Sequence, residues 1–164
     1  MYKVESIEID GFWQRFRAKQ TFSESVKIVI GRNGSGKTTS IDLLESVLSV
    51  DMSGLSQNDF TEVTIKLRHG KTLRTIRATR VEQSRSPFLV VRYQISRKAY
   101  FVRILGGDEV RYSPTLRRRI DDEAQEVRSE LSSLISLASL SVYRNRPDAD
   151  LQGVDRRAFR TLSP

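Results

Sequence analysis

Eight consecutive residues have the types and spacing to hold a polyphosphate: Gly31-Arg32-Asn33-Gly34-Ser35-Gly36-Lys37-Thr38. They match the P-loop pattern G-x-x-x-x-G-K-[ST] in full. A triphosphate carries several negative charges, so a loop that holds one must present many backbone N–H groups at close range. Glycines at 31, 34 and 36 permit the backbone angles and the close approach that side chains would block. A helix starting near Lys37 aims the positive end of its dipole at the same phosphates. In this arrangement Lys37 is expected to reach the β- and γ-phosphates and Thr38 to place its hydroxyl on Mg²⁺. Thr39 is expected to bond the α-phosphate. The expected ligand is ATP with magnesium, cradled by residues 31 to 39.

Such a loop works between a strand and a helix, and the flanking residues read that way. Val26-Lys27-Ile28-Val29-Ile30 is a nearly continuous β-branched run, the pattern of a strand buried on both faces. Lys37 to Val50 reads as a buried helix, with Ile41, Leu44 and Leu48 on one stripe, widened by Leu43, Val47 and Val50. Ser53-Gly54 is expected to end that segment. Upstream, Lys3 to Ile9 and Arg15 to Phe22 form a hairpin about a bend at Gly11-Phe12-Trp13.

Downstream lies a β-rich stretch. Thr61 to Arg68 alternates, with Val63, Ile65 and Leu67 on one face. His69-Gly70-Lys71 is a turn and Thr72 to Val81 the returning strand. Phe88 to Ile95 and Ala99 to Leu105 pair around Ser96-Arg97-Lys98, and Gly106-Gly107-Asp108 turns the chain again. Links this short make the strands antiparallel. Ser113-Pro114 combines an N-cap with a proline at the first helical position. Leu116, Ile120, Ala124, Val127, Leu131 and Leu134 or Ile135 then recur at helical spacing. Leu137 to Tyr143 reads as a strand, and a further helix begins near Gly153.

Composition narrows the class. With 164 residues, 38% hydrophobic and 29% charged, the chain suits one soluble domain with a real core. It contains no cysteine, which excludes disulfides, thiolate catalysis and cysteine-based zinc sites. No apolar run approaches the ~18 residues that span a bilayer, so no membrane partner and a cytoplasmic location are expected. The net charge of +8 is uneven: Lys66 to Arg119 holds 15 Lys or Arg against 3 acidic residues, leaving −4 for the rest. A basic middle of this kind suggests a polyanion-facing surface. Lys71, Arg74, Arg77 and Arg80 are the candidate phosphate contacts of such a surface.

The run Ser6-Ile7-Glu8-Ile9-Asp10-Gly11-Phe12, a second strand, and Ile28 to Thr39 resemble the amino-terminal end of an ABC-type ATPase head. More narrowly they resemble the SMC/RecF/OLD-like (AAA ATP-binding) group, whose chains open with a strand, a "GF" or "NF" bend and a second strand. Leu55-Ser56-Gln57-Asn58-Asp59-Phe60 and Leu140-Ser141-Val142-Tyr143-Arg144 resemble further segments of such heads. The resemblance implies an α/β fold: a P-loop NTPase core of strand, P-loop and helix, with an antiparallel β-subdomain, together an incomplete ABC-type head. It implies a head-to-head homodimer that sandwiches ATP, action on DNA in repair or phage defence, and an attached effector nuclease or toxin. Gln57 becomes a candidate for the glutamine that touches the metal or the attacking water.

The same resemblance exposes what is missing. Such heads carry a Walker B segment, four apolar residues followed by Asp-Glu, which positions metal and water. None is present; Asp121-Asp122-Glu123 falls on the expected helix. No Ser-Gly-Gly signature is visible, and His69 falls in a turn. The chain is therefore expected to be one amino-terminal lobe. Residues 1–50 form the hairpin, P-loop and first helix, 55–112 the basic β-subdomain, 113–143 a helix and core strand, and 144–164 the start of an insertion. Its own catalytic residues are expected to be none, and its hydrolysis negligible. Two other readings stay open: a small P-loop kinase, and a non-enzymatic module ordered by nucleotide that binds nucleic acid or an acidic partner. Trp13 either stacks on a base or packs against the hairpin.

Overall fold

The computed structural model describes residues 1–22, 28–81, 88–104 and 113–137. Among these residues nine elements follow in order: β1 (Lys3–Phe12), β2 (Phe16–Thr21), α1 (Lys37–Ser49), α2 (Met52–Gln57), β3 (Glu62–His69), β4 (Thr72–Val81), β5 (Leu89–Ile95), β6 (Lys98–Ile104) and α3 (Pro114–Leu134).

All six strands join one antiparallel sheet in the order β2-β1-β3-β4-β5-β6. The amino-terminal hairpin and the basic strands thus share a sheet rather than forming neighbouring units. Register follows from the period-2 pattern, since directly opposed residues face the same side. Ile7, Ile65, Ile76 and Ile95 stand opposite one another across β1, β3, β4 and β5, and Ile9, Val63, Ala78 and Tyr93 form the next row. Every one of these is buried. Each fully buried Ile, Leu or Val stabilises by roughly 1.5–3 kcal/mol over exposure, so these two rows dominate the core.

The helices close the apolar face. Leu43, Val47 and Leu48 of α1 and Ala124, Val127 and Leu131 of α3 belong to the same core cluster. Tyr93, fully enclosed, donates its hydroxyl to the Val47 carbonyl at 3.2 Å. Burial pushes its phenol well above the ordinary value. Arg128 of α3 donates to the Ser49 and Val50 carbonyls, placing a cation at the carboxy-terminal end of α1. The α3 helix opens where Ser113 accepts from the Leu116 N–H at 3.3 Å, with Pro114 in its first turn. It lies beside the edge strand β6, where the Glu123 carboxylate pairs with Arg103. An edge covered in this way is protected from pairing with another chain.

Three expectations need correction. First, 28–30 is not a buried strand: Ile28 is 78% and Ile30 87% exposed, and neither lies in a strand. An apolar run becomes a buried strand only where a sheet receives it, and among the described residues the strands pair in a sheet that does not include this run. Second, Ile41 is 45% exposed, because the buried side of α1 runs through Ser40, Leu43, Ser46 and Val47. Third, Ser53-Gly54 does not end the first helical segment, which closes at Ser49, but lies inside the short helix α2. Asp51 caps it by accepting from the Ser53 and Gly54 N–H groups at 3.1 and 3.0 Å. The expectations for residues 23–27 and for the turn at Gly106-Gly107-Asp108 lie outside the described residues. So do those for the stretch from 138 to 164.

Candidate functional site

The loop sits beside the end of β1. Gly11, at φ +70°, begins the bend, and Trp13 and Gln14 follow at φ +49° and +68°. Two successive non-glycine residues in the left-handed region each cost roughly 1–2 kcal/mol, so the surroundings must hold them there. The Gln14 N–H donates to the Gly11 carbonyl at 2.8 Å and closes the turn. The Phe12 ring stacks on Trp13 at 4.8 Å between centroids, and Phe16 meets Trp13 edge-on at 6.4 Å. Phe12 is buried, whereas Trp13 keeps 42% of its surface open.

Gly36, the last glycine of the loop, packs against this aromatic pair. A Cβ there would come 2.6 Å from a Phe12 ring carbon and 3.3 Å from the Trp13 indole. Its φ is +81°, and it is the N-cap of α1. Gly34, at φ +78°, faces open space. The helix therefore begins with no side-chain cap on its first-turn N–H groups, and with no acidic residue in that turn. Those donors are left for an anion. The far side of the start is pinned by Gln20 of β2, which donates to the Ser40 hydroxyl at 2.9 Å. Ser40 in turn donates to the Lys37 carbonyl at 2.9 Å.

Lys37 folds back over the loop. Its ammonium donates to the Gly31 carbonyl at 2.8 Å, the Arg32 carbonyl at 2.7 Å and the Ser35 hydroxyl at 3.4 Å. The loop thus wraps around a cation, which is the charge a β- or γ-phosphate would seek. Thr38 is exposed and Thr39 partly so at the start of the helix. Among the described residues no three His, Cys, Asp or Glu gather to hold a metal. Magnesium at this site would rest on the Thr38 hydroxyl and on the phosphates themselves. The residues fit a magnesium–nucleotide: uncapped N–H donors, an ammonium held over the loop, and no competing carboxylate in the first turn. Further along α1, burial and then Glu45 hold the Asp42 carboxyl above the ordinary range.

The other candidates fall elsewhere. Gln57 ends α2, exposed, with its amide donating to Ser53 at 2.9 Å; it makes no hydrogen bond to the loop. The basic residues separate by face. Arg80 turns to the core side, stacks 4.6 Å over Phe60 and donates to the carbonyls of Leu55 (2.7 Å) and Asn58. It closes the carboxy-terminal end of α2, and burial holds its guanidinium below its ordinary value while Asp59 pulls the other way. Arg77 lies on the opposite face, paired with Glu62 at 3.1 Å. Lys71 and Arg74 are exposed at the far end of the sheet. A cleft of about 600 Å³ between Gln14, Asp59, Phe60, Thr61 and Arg80 adjoins the hairpin bend. Sequence reasoning named Phe12 only as part of the bend and missed Gln20 and Ser40 as supports of the loop. Their signal is a tertiary contact, which no local pattern carries.

No helix among the described residues is long and apolar enough to cross a membrane. A search of curated proteins finds no match. Residues 27–160 match a family of AAA domains described as "putative AbiEii toxin, Type IV TA system". The match takes in the P-loop, α1 and the strands after it, and leaves the β1–β2 hairpin outside. With most of its length matched, and with a P-loop whose glycines, lysine and uncapped helix are arranged for phosphate, the chain belongs to this family of P-loop AAA-type ATPase domains.

Proposed function

We propose that this chain is the ATP·Mg²⁺-binding lobe of an SMC/RecF/OLD-like ATPase that acts in the cytoplasm with DNA, in repair or in toxin–antitoxin phage defence. Residues 31 to 39 hold the triphosphate, Lys37 meets its terminal phosphates, and Thr38 contributes to the metal. Hydrolysis requires a Walker B and signature lobe supplied from outside residues 1–164. In such a class two heads close on ATP as a homodimer and pass its binding energy to DNA or to an effector nuclease or toxin. The family description, with its toxin–antitoxin wording, supports the defence reading over general repair.

One observation carries the nucleotide reading: the Lys37 ammonium is enclosed by the Gly31 and Arg32 carbonyls directly before an uncapped helix start. Calorimetry with ATP·Mg²⁺ tests it. Charge-assisted hydrogen bonds are worth about 1.5–3 kcal/mol, so Lys37→Ala is expected to weaken binding by roughly 10- to 100-fold. The circular dichroism of the variant should match the parent. Equal affinity in parent and variant overturns the assignment.

A further inference from the structure

The cationic excess of this chain does not collect at the P-loop. The strand β1 runs from Lys3 to Phe12, and Phe12 is the residue that abuts Gly36. Ten residues at about 3.3 Å each put Lys3 about 30 Å from the loop. The Lys3 end of the sheet carries both tight turns, the one between β3 and β4 and the one between β5 and β6. Register brings them alongside each other: Lys3 opposes Arg68, Arg68 opposes Leu73, and the Ser96 N–H donates to the Thr75 carbonyl at 3.0 Å.

Among the described residues six exposed cations gather there beside the exposed Lys98: Lys3, Lys66, Arg68, Lys71, Arg74 and Arg97. Two carboxylates answer at this end. Glu5 pairs with Arg68, and Glu130 takes the adjoining Lys98 at 3.2 Å. Lys3, Lys66, Lys71 and Arg97 form no ion pair among the described residues. Arg74 is oriented by neutral partners, with Nη1 3.1 Å from the Ser96 hydroxyl and Nε 3.4 Å from the Tyr2 hydroxyl. Its charge is thus positioned without being neutralised.

We infer that this end of the sheet is a second polyanion site, separate from the P-loop, and that it binds the phosphodiester backbone of nucleic acid. The inference rests on the nucleotide reading in one respect, that the triphosphate occupies the opposite end. From β1 to β6 the end spans four strand spacings, about 19 Å, which is the axial length of five to six base pairs. The two hairpin turns bring these cations to one end of the sheet, with Lys66 and Arg68 on the face away from the core and Arg74, opposite buried Leu67, on the other. The large apolar side chains exposed here among the described residues are Met1, Leu73 and, beside Met1, Leu137, too few to seat in a bilayer interface. Arg77 and Arg80 do not belong to the surface, one being paired across the sheet and the other turned inward.

The test uses the whole chain and a fluorescein-labelled 20-bp duplex, followed by anisotropy from 50 to 200 mM NaCl. The triple variant Lys3→Ala/Lys71→Ala/Arg97→Ala is compared with the parent and with Arg17→Ala, at the P-loop end. About 0.9 of the log–log salt slope is lost per phosphate contact removed. The triple variant is therefore expected to lose about 2–3 of that slope and at least ~10-fold in affinity at 50 mM. Arg17→Ala should bind duplex as the parent does, and ATP·Mg²⁺ affinity should be the same in all three. Any one of three results overturns the inference: no duplex binding at 50 mM, an unchanged slope in the triple variant, or duplex binding abolished by Lys37→Ala and displaced by ATP·Mg²⁺. Binding to phosphatidylserine vesicles or polyglutamate without binding to duplex also overturns it. No ATP·Mg²⁺ binding by the parent, with duplex binding and the loss of slope in the triple variant as expected, counts against the nucleotide reading and still supports this site. Loss of ATP binding in Lys37→Ala with duplex binding intact supports the separateness of the two.

Discussion

The Phe12 ring occupies the space that a side chain at Gly36 would need. A Cβ on Gly36 would lie 2.6 and 2.9 Å from two of its ring carbons. One buried aromatic at the end of β1 therefore sets how closely the P-loop approaches the sheet, and with it where α1 begins. The glycine serves both a left-handed backbone angle and a steric fit.

Gly34 and Gly36 separate those two demands. Both have φ near +80°, yet a Cβ at Gly34 meets nothing within 4 Å. Gly34→Ala is expected to cost about 1 kcal/mol, for the backbone angle alone. Gly36→Ala adds overpacking against Phe12 and should cost about 2–4 kcal/mol in total. Urea unfolding of both variants checks the order. Equal losses would mean that Phe12 yields freely.

Trp13 is the single tryptophan of the chain, which makes the site its own reporter. Its indole is held beside Gly36, with one side on Phe12 and much of the remainder open. ATP is expected to quench its fluorescence, whereas inorganic triphosphate, which has no base, should quench far less. An aromatic stack is worth about 0.5–1.5 kcal/mol, so Trp13→Ala should weaken ATP roughly 3- to 10-fold and leave triphosphate affinity unchanged. Equal weakening of both ligands would place the effect on the loop's shape instead.

Arg80 supports the fold rather than a surface. Removing its guanidinium strips the Leu55 and Asn58 carbonyls of a charged donor, and Phe60 of its cation. Arg80→Ala is expected to destabilise by about 2–3 kcal/mol in chemical denaturation. Arg80→Lys should recover little, because one ammonium does not replace the planar fork. Duplex affinity of the folded variant should equal that of the parent.

Asp42 adds a pH signature. Its carboxyl is raised in the fold by burial and by Glu45, one turn on. The folded state therefore holds that proton more tightly than the unfolded chain does. Stability from this group is present at low pH and is lost as pH rises through the raised value. At pH 7 the charged Asp42 is a net cost, so Asp42→Asn should raise Tm there. The gain should shrink as the pH falls toward the ordinary carboxylate value of 3.8. A gain independent of pH in thermal melts would assign the effect to helix propensity.

The eight residues of the loop, the alternation of β3 and β4, and the 3.6-residue recurrence from Leu116 to Leu131 are local features, and they suffice to locate the P-loop and most elements. Short links made the strands antiparallel, and Ser113-Pro114 marked the start of α3. Local pattern does not say which strands become neighbours. That β1 lies between β2 and β3, bringing the hairpin into the basic sheet, is a matter of long-range pairing. The exposure of Ile28 and Ile30 has the same origin, since β-branched character favours a strand but does not supply its neighbours. The four basic residues at 71, 74, 77 and 80 look alike in sequence. Strand alternation and the position of α2 send Arg80 inward and pair Arg77 with Glu62, while Lys71 and Arg74 stay in the open. Sequence alone carried the P-loop pattern and the glycines its backbone needs; only the packed sheet decided which of the basic residues are paired and which stay exposed, because pairing depends on neighbours that local pattern does not name.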